Sequence, residues 1–213
     1  MNIVVFGATG MVGSLITTEA ARRGHHVVAA SRSGGSPTDA PHVTALKADA
    51  SDPDEVARAS QGADVVASAL VPPRDGSDPT KPFLTLNQSL LAGTRLAGVP
   101  RLVIVGGAGS LLVAPDTALM DAPGFPTAYL AEAQAHAALL SQLRTADGLD
   151  WTCVSPPPLI EPGQRTGNYR LGADQLLTDD SGSPRISAED YAIAFVDEIE
   201  RHAHPRSRIS VAS

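Results

Sequence analysis

At 213 residues the chain is long enough for one domain, expected to bury roughly 70 % of its unfolded surface, and nothing in it calls for a second. A hydrophobic fraction of 43 % and a charged fraction of 18 % fit a soluble globular protein, and 19 Gly with 17 Pro predict many loops. Sixteen basic and 23 acidic residues give a net charge of −7 with no polybasic block, which argues against nucleic acid or a membrane surface as partner.

The first predicted element is a strand, Ile3 to Phe6, followed by Gly7-Ala8-Thr9-Gly10-Met11-Val12-Gly13 and a helix-like run. Gly7 would allow a sharp exit from the strand, Gly10 would let a pyrophosphate approach bare backbone, and Gly13 would let the helix pack close on a sheet. The N–H groups of Thr9, Gly10, Met11, Val12 and Gly13 would then face the phosphates with the helix dipole behind them. The same spacing also builds an ordinary structural turn. Leu15 to Arg23 is expected as the helix, closed by Gly24, and His26 to Ser31 as the second strand of a βαβ unit. Residues 25 to 36 contain no acid to hold a ribose 2′-hydroxyl, and Arg32 stands at the strand end. A guanidinium there pairs with a 2′-phosphate, favouring NADP over NAD; a plain surface arginine is the alternative.

Val43 to Lys47 is a third strand, running into Ala48-Asp49. Asp52-Pro53-Asp54-Glu55 starts a helix that Gly62 ends. Asp64 to Leu70 is a fourth strand, and its Ala67-Ser68-Ala69 exit is small enough for an adenosine to lie against it. A loop from Val71 to Pro82, a helix from Phe83 to Ala97 and a fifth strand, Leu102 to Val105, come next. A long helix, Thr127 to Thr145, leads to a sixth strand through Asp150-Trp151-Thr152 to Ser155. A helix from Asp190 to Glu200, capped by Ser187, and a short strand, Ile209 to Val211, close the chain. This alternation predicts an α/β fold: a doubly wound, mostly parallel Rossmann-type sheet with helices on both faces and ligands at the carboxyl ends of the strands. The expected unit is a single dinucleotide-binding domain, 1–213.

The glycine loop, Gly106-Gly107-Ala108-Gly109-Ser110, Asp150-Trp151-Thr152 leading into Ser155-Pro156-Pro157, Arg165-Thr166-Gly167-x-Tyr169, and Ile186-Ser187-x-Glu189-Asp190-Tyr191-Ala192 together resemble the atypical short-chain dehydrogenase/reductases, an NAD(P)H-binding family. The resemblance runs nearly end to end. It implies a central strand order 3-2-1-4-5-6, Asp49 near the adenine, and Gly106, Pro156 and Pro157 against the nicotinamide. It makes 111–126 and 157–185 substrate-side loops. It also implies a catalytic or substrate-binding hydroxyl at Ser110, for which capping the following segment is an equal reading. A flavin-reducing member has a histidine beyond the sixth strand; this chain has none there.

Tyr129 lies where a typical short-chain dehydrogenase carries its catalytic tyrosine. Such a tyrosine needs a lysine four residues on, and position 133 is Ala. A pocket or packing role therefore competes with a catalytic one. Arg165 with Tyr169 could hold an anionic, planar substrate, or belong to a solvated loop. Cys153, the single cysteine, sits in an apolar run and reads as core. The histidines lack zinc-site spacing, so no metal is expected. With no basic leader and no spanning stretch, the expectation is a cytoplasmic protein, monomeric or homodimeric, with a small-molecule substrate. The leading functional expectation is an NADPH-dependent oxidoreductase that reduces a planar acceptor such as a flavin or quinone. The alternative is an NADP-binding redox sensor or regulatory protein without turnover.

Overall fold

Short runs of branched apolar residues, buried from end to end, form the centre of the molecule. The computed structural model describes residues 1–179 and 181–213. In chain order it contains β1 (Asn2–Phe6), α1 (Met11–Arg22), β2 (His26–Ser31), β3 (Val43–Lys47), α2 (Pro53–Ala59), β4 (Val65–Ser68), α3 (Thr80–Leu96) and β5 (Arg101–Val105). There follow β6 (Leu112–Ala114), β7 (Thr117–Ala118), a 3-10 turn (Leu119–Asp121), α4 (Thr127–Arg144), β8 (Asp150–Ser155), β9 (Leu159–Glu161), β10 (Arg170–Gly172), β11 (Arg185–Ser187), α5 (Ala188–Arg201) and β12 (Ser207–Ala212).

Eight strands form one sheet in the order β10-β12-β8-β5-β4-β1-β2-β3. All neighbours are parallel except β10, which runs antiparallel to β12. The segment β3-β2-β1-β4-β5-β8 is the expected order, with β8 as the sixth long strand. Strand order reverses between β1 and β4, which opens a crevice at their carboxyl ends. Alternate β1 side chains serve two cores, as the pleat of a strand requires. Ile3 and Val5 pack with Ile16, Tyr191 and Phe195 under α1 and α5. Val4 and Phe6 pack with Phe83, Leu90, Leu139 and Trp151 on the opposite face, under α3 and α4. Burial on both faces explains why the strands are apolar runs instead of alternating ones.

Element ends differ from expectation where capping decides them. α1 begins at Met11, inside the glycine loop, because Gly10 takes the extended N-cap conformation. α3 begins at Thr80, whose N–H donates to the Asp78 carboxylate at 3.0 Å; Pro82 falls in the first turn, where a missing N–H costs little. Asp52 caps α2 and Ser187 caps α5, as the sequence predicts. The segments expected as loops contain short strands: β6 with β7, and β9 parallel to β11. Strands of two or three residues are too short to show a hydrophobic period. Among the described residues no helix is long and apolar enough to cross a membrane.

Candidate functional site

The glycine loop lies at the carboxyl end of β1, beside the strand-order reversal. Gly7 has φ +77°, and a Cβ built there would lie 2.7 Å from the Ala69 carbonyl oxygen at the β4 exit. A Cβ on Gly13 would lie 2.1 Å from the Gly7 carbonyl oxygen. These two glycines are needed for the chain to pack on itself. Gly10 differs: a Cβ there would meet only the Gly7 oxygen, at 3.4 Å. Gly10 N–H turns back to the Gly7 carbonyl at 3.1 Å. The N–H groups of Thr9, Met11, Val12 and Gly13 have no hydrogen-bond partner among the described residues. The first turn of α1 carries no acidic side chain, so its positive dipole end is uncompensated.

At the end of β2, Arg32 is exposed and makes no ion pair among the described residues. The turn after it is held by Ser31, whose hydroxyl accepts from Gly34 N–H at 3.1 Å. A Cβ on Gly35 would lie 4.0 Å from Thr9 Cγ2, so this turn borders the glycine loop. Asp49, after β3, accepts from Ser51 N–H at 2.9 Å and from its hydroxyl at 2.8 Å. Those hydrogen bonds, with the Arg32 charge helping, hold its carboxyl below the usual range. At the β4 exit Ala67 and Ser68 are fully buried and Ala69 nearly so. Gly7, Thr9, Gly10, Met11, Val12, Gly13, Arg32 and Ala69 thus come together, with Asp49 on the strand next to Arg32.

The exits of β5 and β8 form the other side. Gly106 packs on β8, where an added Cβ would lie 2.6 Å from Cys153 Sγ, and Pro156 and Pro157 are buried beside it. Burial pushes the Cys153 thiol up to about 11, an inert core residue. Ser110 is not free. Its hydroxyl accepts from Arg208 Nη1 at 2.9 Å and its carbonyl from the same nitrogen at 3.1 Å. Arg208, whose side chain is 4 % exposed, also donates through Nε to Asp174 at 2.7 Å. This contact draws Ser110 toward β12, on the side of β5 away from β1. Tyr129 opens α4 with 63 % exposure. Ala133 is packed against the exit loop, 2.4 Å from a Cβ built on Gly109. One turn on, His136 is buried against Gly107 and Phe83. Arg74, in the segment after β4, donates to Glu132 at 2.9 and 2.8 Å.

Arg165 and Tyr169 lie together but face α1 and α5. Arg165 forks onto Glu19 at 3.0 and 2.9 Å, and Tyr169 donates to Asp197. A polar cavity lined by Glu161, Gly163, Thr166, Asn168 and Asp190 lies nearby. Arg208, His136 and Arg74 were not singled out from sequence. The one signal was spacing: His136 falls seven residues after Tyr129, on the same helix face.

These residues fit a dinucleotide. Four unpartnered backbone donors at the start of a helix, a bare face at Gly10 and an unpaired arginine two strands from the crevice match a phosphate-rich ligand. Comparison with known proteins agrees. An NAD(P)H-binding family model matches residues 7–201. The uncharacterized protein YwnB of Bacillus subtilis (strain 168) is 36 % identical, over 100 % of this chain and 99 % of its own. The crystal structure of a Burkholderia pseudomallei protein, provisionally named as exported, superposes with a TM-score of 0.90 at 48 % identity, over 100 % of both chains. A Streptococcus pneumoniae TIGR4 protein, provisionally named an NADH-flavin reductase, superposes with a TM-score of 0.83 at 34 % identity, over 100 % of this chain and 99 % of its own. By the match over nearly its whole length, the chain belongs to the NAD(P)H-binding family.

Proposed function

We propose that the protein is an NADPH-dependent oxidoreductase that delivers hydride to a planar acceptor, such as a flavin or quinone. The observation that carries this is the set of unpartnered N–H groups of Thr9, Met11, Val12 and Gly13 around the open face of Gly10, at the strand-order reversal. When bound, the dinucleotide supplies the hydride; the protein positions both reactants. The loop donors hold the pyrophosphate, and Arg32 holds the 2′-phosphate, which selects NADP over NAD. Asp49 and the Ala67-Ser68-Ala69 exit border the adenosine. Gly106, Pro156 and Pro157 form a rigid floor under the nicotinamide, and 111–126 with 157–179 and 181–185 wall the acceptor side. Ser110 ties the β5 exit to β12 through Arg208, so a positioning role fits it better than contact with the acceptor. Tyr129 contributes a ring at the rim. Arg165 and Tyr169 fasten the 165–170 segment to α1 and α5. The relative named an NADH-flavin reductase supports a flavin as acceptor.

One observation favours a second reading, a redox sensor without turnover. Ala133 leaves Tyr129 without the lysine that would activate it from the next turn of α4, and its tight packing on Gly109 leaves no room for a longer side chain at that position. The two readings separate in one experiment. Consumption of NADPH with a panel of flavins, quinones and carbonyls supports the enzyme; tight NADPH binding with no consumption supports the sensor. A reducing compartment that holds NADPH, the cytoplasm, is where either reading puts the protein.

A further inference from the structure

Between α4 and the β5 exit lies a polar group for which nucleotide binding has no use. His136 is 9 % exposed and meets Phe83 edge-on, with ring centroids 4.9 Å apart. A Cβ built on Gly107 would fall 2.7 Å from His136 Cβ, 2.8 Å from Cγ and 3.2 Å from Cδ2. The imidazole therefore fills the space a side chain at 107 would take, with its Cδ2 side toward the exit loop. On the opposite edge Nδ1 is buried with no hydrogen-bond partner among the described residues. It is one of eight buried side-chain polar atoms without a partner among the described residues, and the one of them that belongs to an imidazole beside the β5 exit loop.

The charge around the ring is set by neighbours on two elements. Glu132 precedes it by one turn of α4, and Arg74 from the β4 exit neutralises Glu132 through two hydrogen bonds. Phe83 and Gly107, which close the other sides, carry no charge. Burial drives the imidazole down to about 4, against the pull of Glu132 and with the push of Arg74. The ring is thus neutral at pH 7. A buried N–H without an acceptor is rarer than a buried acceptor without a donor, which leaves Nδ1 bare and puts the proton on Nε2.

We propose that His136, through Nε2–H, donates the hydrogen bond that seats a carbonyl or ring nitrogen of the acceptor at the carboxyl end of β5. This rests on the reductase reading above. Its neighbours are less suited to making that bond, because the Ser110 oxygen receives Arg208 and Tyr129 stands mostly in solvent. No proton leaves His136 in this role; the bond fixes the acceptor and polarises it toward hydride.

The test uses the full chain with ¹⁵N-labelled histidine, flavin mononucleotide and menadione as acceptor probes, and a separate NADPH titration. The expected result is a neutral Nε2–H tautomer from about pH 5 to about pH 8, with His136 resonances that move when either acceptor is added. His136→Phe should raise the acceptor KM about tenfold, the scale of one hydrogen bond, and leave the NADPH Kd within about twofold. His136→Gln keeps an N–H donor and should recover most of the loss. If His136→Phe fails to fold, His136→Gln and the parent spectrum still decide. A proton on Nδ1, an unmoved His136 in the presence of an acceptor that the parent reduces, or an unchanged KM in His136→Phe overturns the inference while the nucleotide reading stands. Failure of the parent to bind NADPH overturns that reading and this inference with it, and the titration shows it separately.

Discussion

Alanine at position 13 separates the glycines that build the loop from the one that serves a ligand. In an exposed helix interior, Gly→Ala stabilises by about 1 kcal/mol. In α1 the new Cβ would lie 2.1 Å from the Gly7 carbonyl oxygen and 3.2 Å from Ala69 Cβ. The first contact is with backbone, which no rotamer change relieves, and overpacking of this kind costs about 1–3 kcal/mol or more. Taking about 3 kcal/mol for so short a contact, the net effect of Gly13→Ala is a loss of about 2 kcal/mol. In a domain of this size that lowers the Tm by about 4–8 °C. Gly10→Ala is the comparison. Its backbone, at φ −74° and ψ 167°, suits any residue, and its Cβ meets one atom at 3.4 Å. A weaker N-cap costs about 0.5–1 kcal/mol, and the loss of unfolded-state freedom returns about as much. The Tm of Gly10→Ala should therefore stay within about 3 °C of the parent, while its NADPH affinity falls. Thermal unfolding followed by circular dichroism, with a dinucleotide titration on each variant, measures both. A Gly13→Ala protein at least as stable as the parent, or a Gly10→Ala protein that melts as early, refutes the reasoning.

Arg32→Ala should weaken NADP binding by about 1.5–3 kcal/mol, the scale of one charge-assisted hydrogen bond, and leave NAD nearly unchanged; equal losses in paired titrations would remove Arg32 from the 2′-phosphate. Tyr129→Phe deletes only a hydroxyl that no neighbouring lysine activates, so turnover with the acceptor identified by the panel should fall less than about tenfold, or about 1.4 kcal/mol in barrier. Ser110→Ala leaves Arg208 one acceptor short and should lower stability by about 1.5–3 kcal/mol in denaturant unfolding; a hundredfold loss of turnover with unchanged stability would return Ser110 to contact with the acceptor. Burial alone would raise Glu19, whose side chain is 6 % exposed, but hydrogen bonds from Arg165 and Arg23 hold it below the usual carboxylate range. A carboxylate lowered on folding adds stability above its unfolded pKa and loses it as pH falls through the folded value. Unfolding free energy measured from neutral to acid pH should thus fall less steeply in Glu19→Gln than in the parent; parallel curves would contradict this.

The individual strands and the glycine loop were legible because each follows from local signals, whereas the strand order came from the family resemblance. Buried parallel strands are continuous apolar runs such as Ile3 to Phe6, and the loop glycines keep fixed spacings. What was not legible depends on contacts between distant residues. Arg208 reaches Ser110 across 98 positions and Arg165 reaches Glu19 across 146, so a hydroxyl and a guanidinium that look available in sequence are engaged in the fold. His136 sits in an apolar helix, where a lone histidine looks like ordinary core. The close approach of Gly107, at the ligand end of β5, sets it apart. The short strands β6, β7, β9, β10 and β11 pair through tertiary context, with too few residues to carry a period.

The claim on which the rest depends is that a dinucleotide lies on the glycine loop, and residue-resolved backbone amide spectra during an NADPH titration test it directly. The amide signals of Thr9, Met11, Val12 and Gly13 should move together and saturate, because these are the unpartnered donors that meet the phosphates. Signals that stay fixed there while those of Gly163, Thr166 and Asn168 in the polar cavity move instead would contradict it.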